Sequence, residues 1–554
     1  MSLRISLIPP TLFNILLAVA AGGLLALGWP PATWFYLVLF AWVPLLLLSD
    51  RLGTNARSLF AYALLVTLAL FIWNAYTTQW IYRTFFTSGV VVNFLNVTLF
   101  ALPWVIYHAL QNRWSKLHRY ALLVSSWMSV EMLHYYWGLS FPYLTLGNVL
   151  ASVPPLAQWY EYTGVFGGSL WVWGANLLLY EVLKELLARR RFGRLLTQRI
   201  GYALLWILLP MGISLAIFSS YEERGEPVEV VAVHTDLDCR KERKVYTAEQ
   251  MVKVHWELTQ PYLNSHTRYI LWPEGAVNVG WLEELSTHTQ VQDLRNKLRN
   301  YPDTQLITGA VIHEQYQPAD TARIPANVDY IKVAQQKVWY NTYNGALQLN
   351  ATSGAKLRTK IHMTPLEETT VYPLLVNFLR KFIPSLGGFH FSTWSGNQNV
   401  FHNQTDVTPV ICYESFFGHT VKDFVYQGAD LLFVILNEGW MDDDQQAQQF
   451  MQYASLRAIE NRRDIVRSSN KGITCFMDQK GMIEQAISDN TSTVLIAEAR
   501  VNKKKTFYTM TGDYIGWIAV VAFTVYSVTL LIAFIRYVLT YNYNAKQVLL
   551  KRAA

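Results

Sequence analysis

Charge is scarce in this chain. Asp, Glu, Lys and Arg make up 15% of its 554 residues, where an ordinary soluble domain carries about a quarter. The shortage is uneven: residues 1–220 and 513–540 are mostly apolar, whereas 221–512 have the balance of a soluble α/β protein. One membrane domain and one globular domain is the simplest division, with boundaries at 1–220, 221–512 and 513–554. Cysteine is scarcer still. Cys239, Cys412 and Cys475 are the three present; they cannot all pair within the chain, so no disulfide framework is expected and at least one thiol is expected to be free. His234, His362, His390 and His402 lack the tight spacing that ligands of one metal need. There is no Gly-rich phosphate loop, internal repeat or low-complexity tract. Neither a metal nor any other cofactor is expected. The formal charge of +7 is no sign of nucleic-acid binding, because its excess sits in short loops between apolar segments.

What the chain has instead is long apolar runs. Segments near 9–28, 32–49, 59–80, 89–110, 119–138, 164–187, 200–220 and 515–539 approach the 20 or so residues that a membrane-crossing helix needs. Arg51 and Arg57, then Arg113, Lys116 and Arg119, then Arg189 to Arg199, and finally Lys546, Lys551 and Arg552 occupy alternate loops. Lys and Arg resist translocation, so these loops are expected in the cytoplasm and the long segment after the seventh span outside. The first segment also has the form of a signal peptide with Arg4 as its charged end, but removing it breaks the alternation. Glu131, in the fifth segment, is either a functional intramembrane group or a carboxylate near the outer interface bonded to Tyr or His. Residues 138–148 have broken helical character and are expected to pack under the globular domain.

From about residue 226 the pattern shifts to short β-rich runs, including 227–233, 269–272, 304–309, 344–349, 407–412 and 430–436. Helical periodicity alternates with them at 246–260, 281–300 and 445–464. The alternation predicts α/β layers. Within 371–388, Leu374, Leu375, Phe378 and Phe382 form either a buried helix or an apolar arm that dips into lipid.

Three short motifs carry the chemistry. Glu274 follows Leu271-Trp272-Pro273, Lys360 follows Leu357-Arg358-Thr359, and Cys412 ends the run from Val407. A thiol near a cation and a base is a candidate acyl-transfer nucleophile. In that role Glu274 takes and returns the thiol proton. Lys360 and the backbone N–H after Cys412 stabilise an oxyanion. Glu368 and Glu414 hold Lys360 or relay protons.

The globular part resembles the nitrilase, or carbon–nitrogen hydrolase, superfamily, whose Glu-Lys-Cys triad has this order and these surroundings. The whole chain resembles the apolipoprotein N-acyltransferase family. The likeness rests on Gly28-Trp29-Pro30, Phe141-Pro142-Tyr143, the run from Gln158 to Gly167 and Trp272-Pro273-Glu274. It continues through Tyr343-Asn344, Lys360 with Glu368 eight residues on, Cys412-Tyr413-Glu414 and the run from Arg467 to Gly472. It implies a multi-pass helical membrane domain of about eight spans joined to an αββα nitrilase-like sandwich. It also implies an enzyme of the bacterial inner membrane, with its catalytic domain on the periplasmic side. The implied reaction moves an acyl chain from a phospholipid, through a Cys412 thioester, to the N-terminal amine of a diacylglyceryl-Cys apolipoprotein. Glu274, Lys360 and Cys412 are then catalytic; Glu368, Glu414, Tyr413 and Asn344 support them; Trp440 and the 374–382 residues belong to the lid. A monomer is expected. A membrane-tethered amidase with water as acceptor explains the triad but not the membrane domain. Some positions depart from the family pattern. Pro365-Leu366-Glu367-Glu368 stands where Pro-Phe-Gly-Glu is usual; spacing favours Glu368 as the carboxylate beside Lys360, and the extra Glu367 leaves that open. Asn437-Glu438-Gly439-Trp440-Met441 stands where the family has Asn-Asp-x-Trp-Phe. The pocket walls are affected more than the triad.

Overall fold

The computed structural model describes residues 9–84, 86–189, 193–237, 246–316, 328–333, 336–369, 391–393, 396, 398–441, 443–488 and 491–553. Its first part is helical: α1 (Pro10–Leu27), α2 (Val43–Arg51), α3 (Ala56–Thr77), α4 (Gln79–Thr84), α5 (Phe86–Ala109), α6 (Lys116–Tyr136), α7 (Tyr160–Arg189) and α8 (Arg194–Ser220). Among the described residues, α1, α3, α5, α8 and Tyr514–Thr540 near the C-terminus are long and apolar enough to cross a membrane. The other three expected segments are helical but more polar or broken. At 32–49 a 3-10 turn, Phe35–Phe40, precedes the short α2. Helix α6 carries Arg119, Glu131 and His134, and α7 departs from helical geometry at Gly164 and carries Glu181, Lys184 and Glu185. Indole rings fill the centre of the bundle: Trp42 packs on Trp73, Trp104, Trp127 and Trp173 with centroids 4.9–6.1 Å apart.

The globular part is two facing sheets between helices. Strands β1 (Glu226–His234), β2 (Thr267–Leu271), β3 (Val277–Trp281), β4 (Gln305–Tyr316), β5 (Asp329–Val333), β6 (Gln336–Leu349) and β7 (Lys356–Thr359) join a late strand, β13 (Thr493–Val501), in one sheet. Its main order is β13-β1-β2-β4-β6-β5, with β3 on β4 and β7 on β6. The second sheet runs β12-β11-β10-β9-β8, from β8 (Val407–Ile411), β9 (Leu431–Leu436), β10 (Ile465–Ser469), β11 (Thr474–Met477) and β12 (Ile483–Ile487). Strands β8 and β9 are apolar at nearly every position and wholly buried, as parallel strands covered on both faces must be. Between the sheets, Val230, Tyr269, Leu271 and Ile307 meet Val407, Ile411, Phe433 and Val466. Amphipathic helices α9 (Ala248–Thr259) and α10 (Thr289–Leu298) cover the first sheet; α11 (Gly418–Tyr426) and α12 (Asp444–Asn461) cover the second. This is an αββα sandwich. A short helix, α13 (Phe507–Thr511), then leads into α14 (Tyr514–Ala553).

One expected helix is shorter than its periodicity implies. The 281–300 pattern yields a helix only over Thr289–Leu298, because Trp281 ends a strand paired with β4 and Leu282–Glu284 forms a 3-10 turn. Tertiary pairing overrides local propensity there.

The two parts share one core. Tyr413, Phe416, Phe417, Phe450 and Tyr453 of the sandwich pack in the same apolar cluster as the indoles of the bundle. Residues 142–152 form buried 3-10 turns beneath the sandwich, and Tyr143 touches Tyr413, Phe416, Phe450 and Tyr453. Glu131 holds this segment: one oxygen accepts from Leu146 N and from Trp127 Nε1, both at 2.9 Å. Its hydrogen-bond partners at this oxygen are therefore an indole and a peptide N–H rather than Tyr or His. Arg462 binds Gln158 and Glu161 of the bundle at 2.6 and 2.7 Å, and Trp29 donates to Tyr453 at 2.9 Å.

Candidate active site

Each candidate catalytic side chain stands where a strand stops. Glu274 lies three residues beyond β2, Lys360 directly follows β7, and Cys412 directly follows β8. Cys412 has φ 48°, a left-handed conformation that a side-chain-bearing residue adopts at a cost. The chain there turns sharply from strand into the 3-10 turn Cys412–Phe416. On the opposite sheet Gly309 lets β4 approach the Pro273–Glu274 turn. A Cβ at Gly309 would lie 2.5 Å from the Glu274 Cα, so the position admits only glycine without displacing the acid.

Glu274, Lys360, Glu368 and Asn344 form one network. Lys360 Nζ lies 2.8 Å from Glu368 and 3.4 Å from Glu274. Asn344 Nδ2 donates to both acids, at 2.7 Å to Glu274 and 3.2 Å to Glu368. The second Glu274 oxygen accepts from Asn437 N at 3.2 Å, and that of Glu368 from Thr364 N at 2.8 Å. Glu368, not Glu367, is thus the carboxylate beside Lys360; Glu367 turns away to Ser88 of α5. Glu414 does not reach Lys360. It accepts from Ile411 N at 2.8 Å, from Ile361 N at 2.6 Å and from Arg358 at 2.8 Å. One buried carboxylate therefore fixes the residue before Cys412 and the residue after Lys360. Tyr413 donates to Ser140 O at 2.8 Å, tying the turn that carries Cys412 to the bundle. Trp440 ends the turn Glu438–Trp440 and is half-buried. Leu374, Leu375, Phe378 and Phe382, with Cys239, lie outside the described residues.

The electrostatics suit proton transfer at the moment of attack rather than a standing thiolate. Burial pushes the Cys412 thiol well above its ordinary range and the Glu274 charge adds to this, while Lys360 pulls down without reversing it. Burial works against the Lys360 ammonium, but Glu274 and Glu368 outweigh it and hold its pKa above the usual lysine range. Lys360 is therefore a fixed positive charge at neutral pH.

Beside the network, two imidazoles are held neutral. His362 stacks on Phe417 with centroids 3.8 Å apart, and its Nε2 meets Thr420 at 2.6 Å. Burial pulls its pKa from 6.5 to about 4, and pulls that of His419 to about 3. A base whose folded pKa is depressed gives stability that is full above its unfolded value and lost as pH falls toward the folded one. Acidification from pH 6.5 towards 4 is expected to lower the melting temperature, and His362→Gln to flatten that slope, as thermal melts across a pH series would read.

Cys412 also opens onto an apolar slot. Its walls are Trp80 and Ile81 of α4, Val91, Val92 and Leu95 of α5, Leu139, Phe141 and Tyr143 of the segment after α6, and Leu366, Met441 and Phe450 of the sandwich. A membrane helix thus forms part of the wall of a thiol site.

Several working residues are ones that sequence reading passes over. Arg358 looks like part of a basic run, yet it shares a strand face with Lys360 two residues on, and that spacing is the signal. Glu438 pairs with buried Arg467 at 2.5 Å and accepts from Ile473 N at 3.1 Å, which positions the Asn437 turn. Ser88 carries no signal beyond its place in an apolar span.

A family model described as apolipoprotein N-acyltransferase N-terminal domain matches residues 21–178. One described as carbon-nitrogen hydrolase matches residues 237–504. The apolipoprotein N-acyltransferase of Chlorobaculum tepidum is 25% identical over 517 residues, covering 90% of this chain and 93% of its own length. That of Geobacter metallireducens is 25% identical over 518 residues, covering 92% and 93%. That of Thermotoga maritima is 23% identical over 528 residues, covering 92% of each.

Proposed function

We propose, for a chain that belongs to the apolipoprotein N-acyltransferase family, a two-step transfer through Cys412. The chain acylates the N-terminus of apolipoproteins, and its acyl donor is a membrane phospholipid. The acyl tail lies in the slot between α5 and the sandwich, with its ester carbonyl at Cys412. Sγ forms a bond to the carbonyl carbon as its proton passes to Glu274. The resulting oxyanion is met by the Lys360 ammonium and the Tyr413 N–H. The C–O bond breaks, Glu274 returns the proton to the departing oxygen, and a lysophospholipid leaves. In the second step the free α-amine of a diacylglyceryl-Cys N-terminus attacks the thioester. Glu274 takes a proton from nitrogen, the C–S bond breaks, and the proton goes back to sulfur. An amide is formed and the thiol restored.

One observation supports this reading above others. The thiol feels the charges of Glu274 and Lys360 and also lines a slot walled by a membrane helix. A hydrolase of small soluble amides has no use for such a slot. The charge pattern of the loops supports a catalytic domain on the outer face of the bacterial inner membrane, and the enzyme is taken to act as a monomer.

Purified protein given phospholipid alone should gain the mass of one acyl chain on Cys412 and lose it when a diacylated lipopeptide is added. Transfer that proceeds while Cys412 stays unmodified would refute the scheme. The slot is open to a second check. Val92→Trp fills it from α5 and should slow long-chain donors about tenfold, on the ~1.4 kcal/mol that a tenfold change represents. A short-chain thioester donor should lose much less, as initial-rate assays would show.

A further inference from the structure

Glu367 is a carboxylate in a slot that otherwise offers apolar or neutral groups. It lines the same cavity as Cys412, and among the residues walling that cavity it is the ionisable one other than the thiol and the tyrosines. Its neighbour Leu366 has φ 68°, and this left-handed residue precedes two successive acids that face different ways. Glu368 turns to Lys360, while Glu367 accepts from Ser88 Oγ of α5 at 2.7 Å. Among the described residues no Lys, Arg or His pairs with Glu367. Burial pushes its pKa up, and the Glu368 charge adds to this. A carboxylate held in such a place is poorly compensated, and it gains when a cation arrives. The hydroxyl of Ser88 aims one oxygen, and among the described residues no hydrogen bond to the other is found.

Resting on the acyl-transfer reading, we infer that Glu367 recognises a primary ammonium group brought to the slot by a substrate. Two sources carry that group: the ethanolamine headgroup of a donor lipid, and the α-ammonium of the acceptor's N-terminal Cys, which gives up one proton to water before it attacks as the free amine. A headgroup without a cation would meet this carboxylate unmatched, and an anionic one would be repelled. Glu367 is a specificity residue in this account, and Glu274 and Lys360 keep their roles in the chemistry.

The test uses the full-length protein in mixed micelles, with Glu367→Gln and Ser88→Ala beside the parent. Elution volume and thermal melts show whether each variant is folded. The first arm follows acylation of Cys412 by phosphatidylethanolamine and by phosphatidylglycerol with identical chains and no acceptor. If the headgroup is the source, Glu367→Gln lowers the ethanolamine-to-glycerol rate ratio about tenfold, the order expected for losing one charge-assisted hydrogen bond. Ser88→Ala moves it in the same direction by less. The second arm preloads the acyl-enzyme and adds a diacylated lipopeptide. If the acceptor is the source, the first ratio holds and the KM for lipopeptide rises about tenfold. A tie that merely fastens the loop to α5 would alter both donors alike and leave the acceptor KM in place. That result would overturn the inference while Cys412 still acylates. Absence of acylation from any phospholipid in the parent would overturn it together with the reading it rests on.

Discussion

Cys412→Ala should yield a folded protein with no acyl transfer. The loss expected on removing a nucleophile is roughly 10⁴- to 10⁶-fold in kcat, because the remaining groups polarise a carbonyl without offering a covalent route. Sγ makes no structural hydrogen bond among those found at the site, and the turn that carries it is held by Glu414 and Tyr413 instead. The melting temperature should therefore stay near that of the parent. The measurement is the mass of a diacylated lipopeptide after incubation with phospholipid, with a thermal melt as control. Glu274→Gln in the same background should add nothing further, since groups acting in one step are not additive. Measurable transfer by Cys412→Ala would remove the thiol from the mechanism.

Arg358→Met should be the most destabilising single change near the site. Arg358 and Glu414 are both fully buried and meet through two contacts of 2.8 Å. Removing one partner of such a pair leaves an uncompensated charge and costs about 3–5 kcal/mol. Burial raises the pKa of Glu414, but Arg358 and the N–H groups of Ile361 and Ile411 outweigh it and hold the pKa below the ordinary carboxylate value. The stability from Glu414 is therefore present above that ordinary value and lost as pH falls through the lowered one. Urea unfolding at neutral and acid pH should show the gap between parent and Arg358→Met closing on acidification. The double variant Arg358→Met with Glu414→Leu should regain much of the stability, because an apolar pair of similar volume avoids the desolvation cost. It should not regain activity, since Glu414 is also what aligns the segments bearing Lys360 and Cys412. Full activity in that double variant would show that the alignment does not matter.

The division into apolar and soluble parts is legible because burial in lipid and burial in a sandwich demand different compositions. The αββα layering follows from runs such as Leu431–Leu436, apolar throughout, set against amphipathic stretches such as 248–259. The helix expected over 281–300 is less legible, because Trp281 pairs with a strand some thirty residues on and Leu282–Glu284 forms a 3-10 turn before the helix begins. Of the site, Glu274, Lys360 and Cys412 are legible as chemistry at strand ends. Glu414 is legible as a carboxylate near the thiol, but not as the group that also grips Ile361. Glu438 and Arg467 are 29 residues apart, and nothing local shows that they pair.

By itself the sequence determines the membrane bundle, the α/β layers and the kinds of reactive group, because hydropathy period and side-chain chemistry are local properties. Only the tertiary structure decides that Glu368 serves Lys360 while Glu367 faces a slot beneath α5, and that Glu131 clamps Leu146 rather than a ring. Adjacent residues with the same carboxyl acquire different roles according to what the distant chain brings beside them. Spacing along the chain favours Glu368 beside Lys360, but that Glu367 reaches Ser88 is a matter of three-dimensional packing.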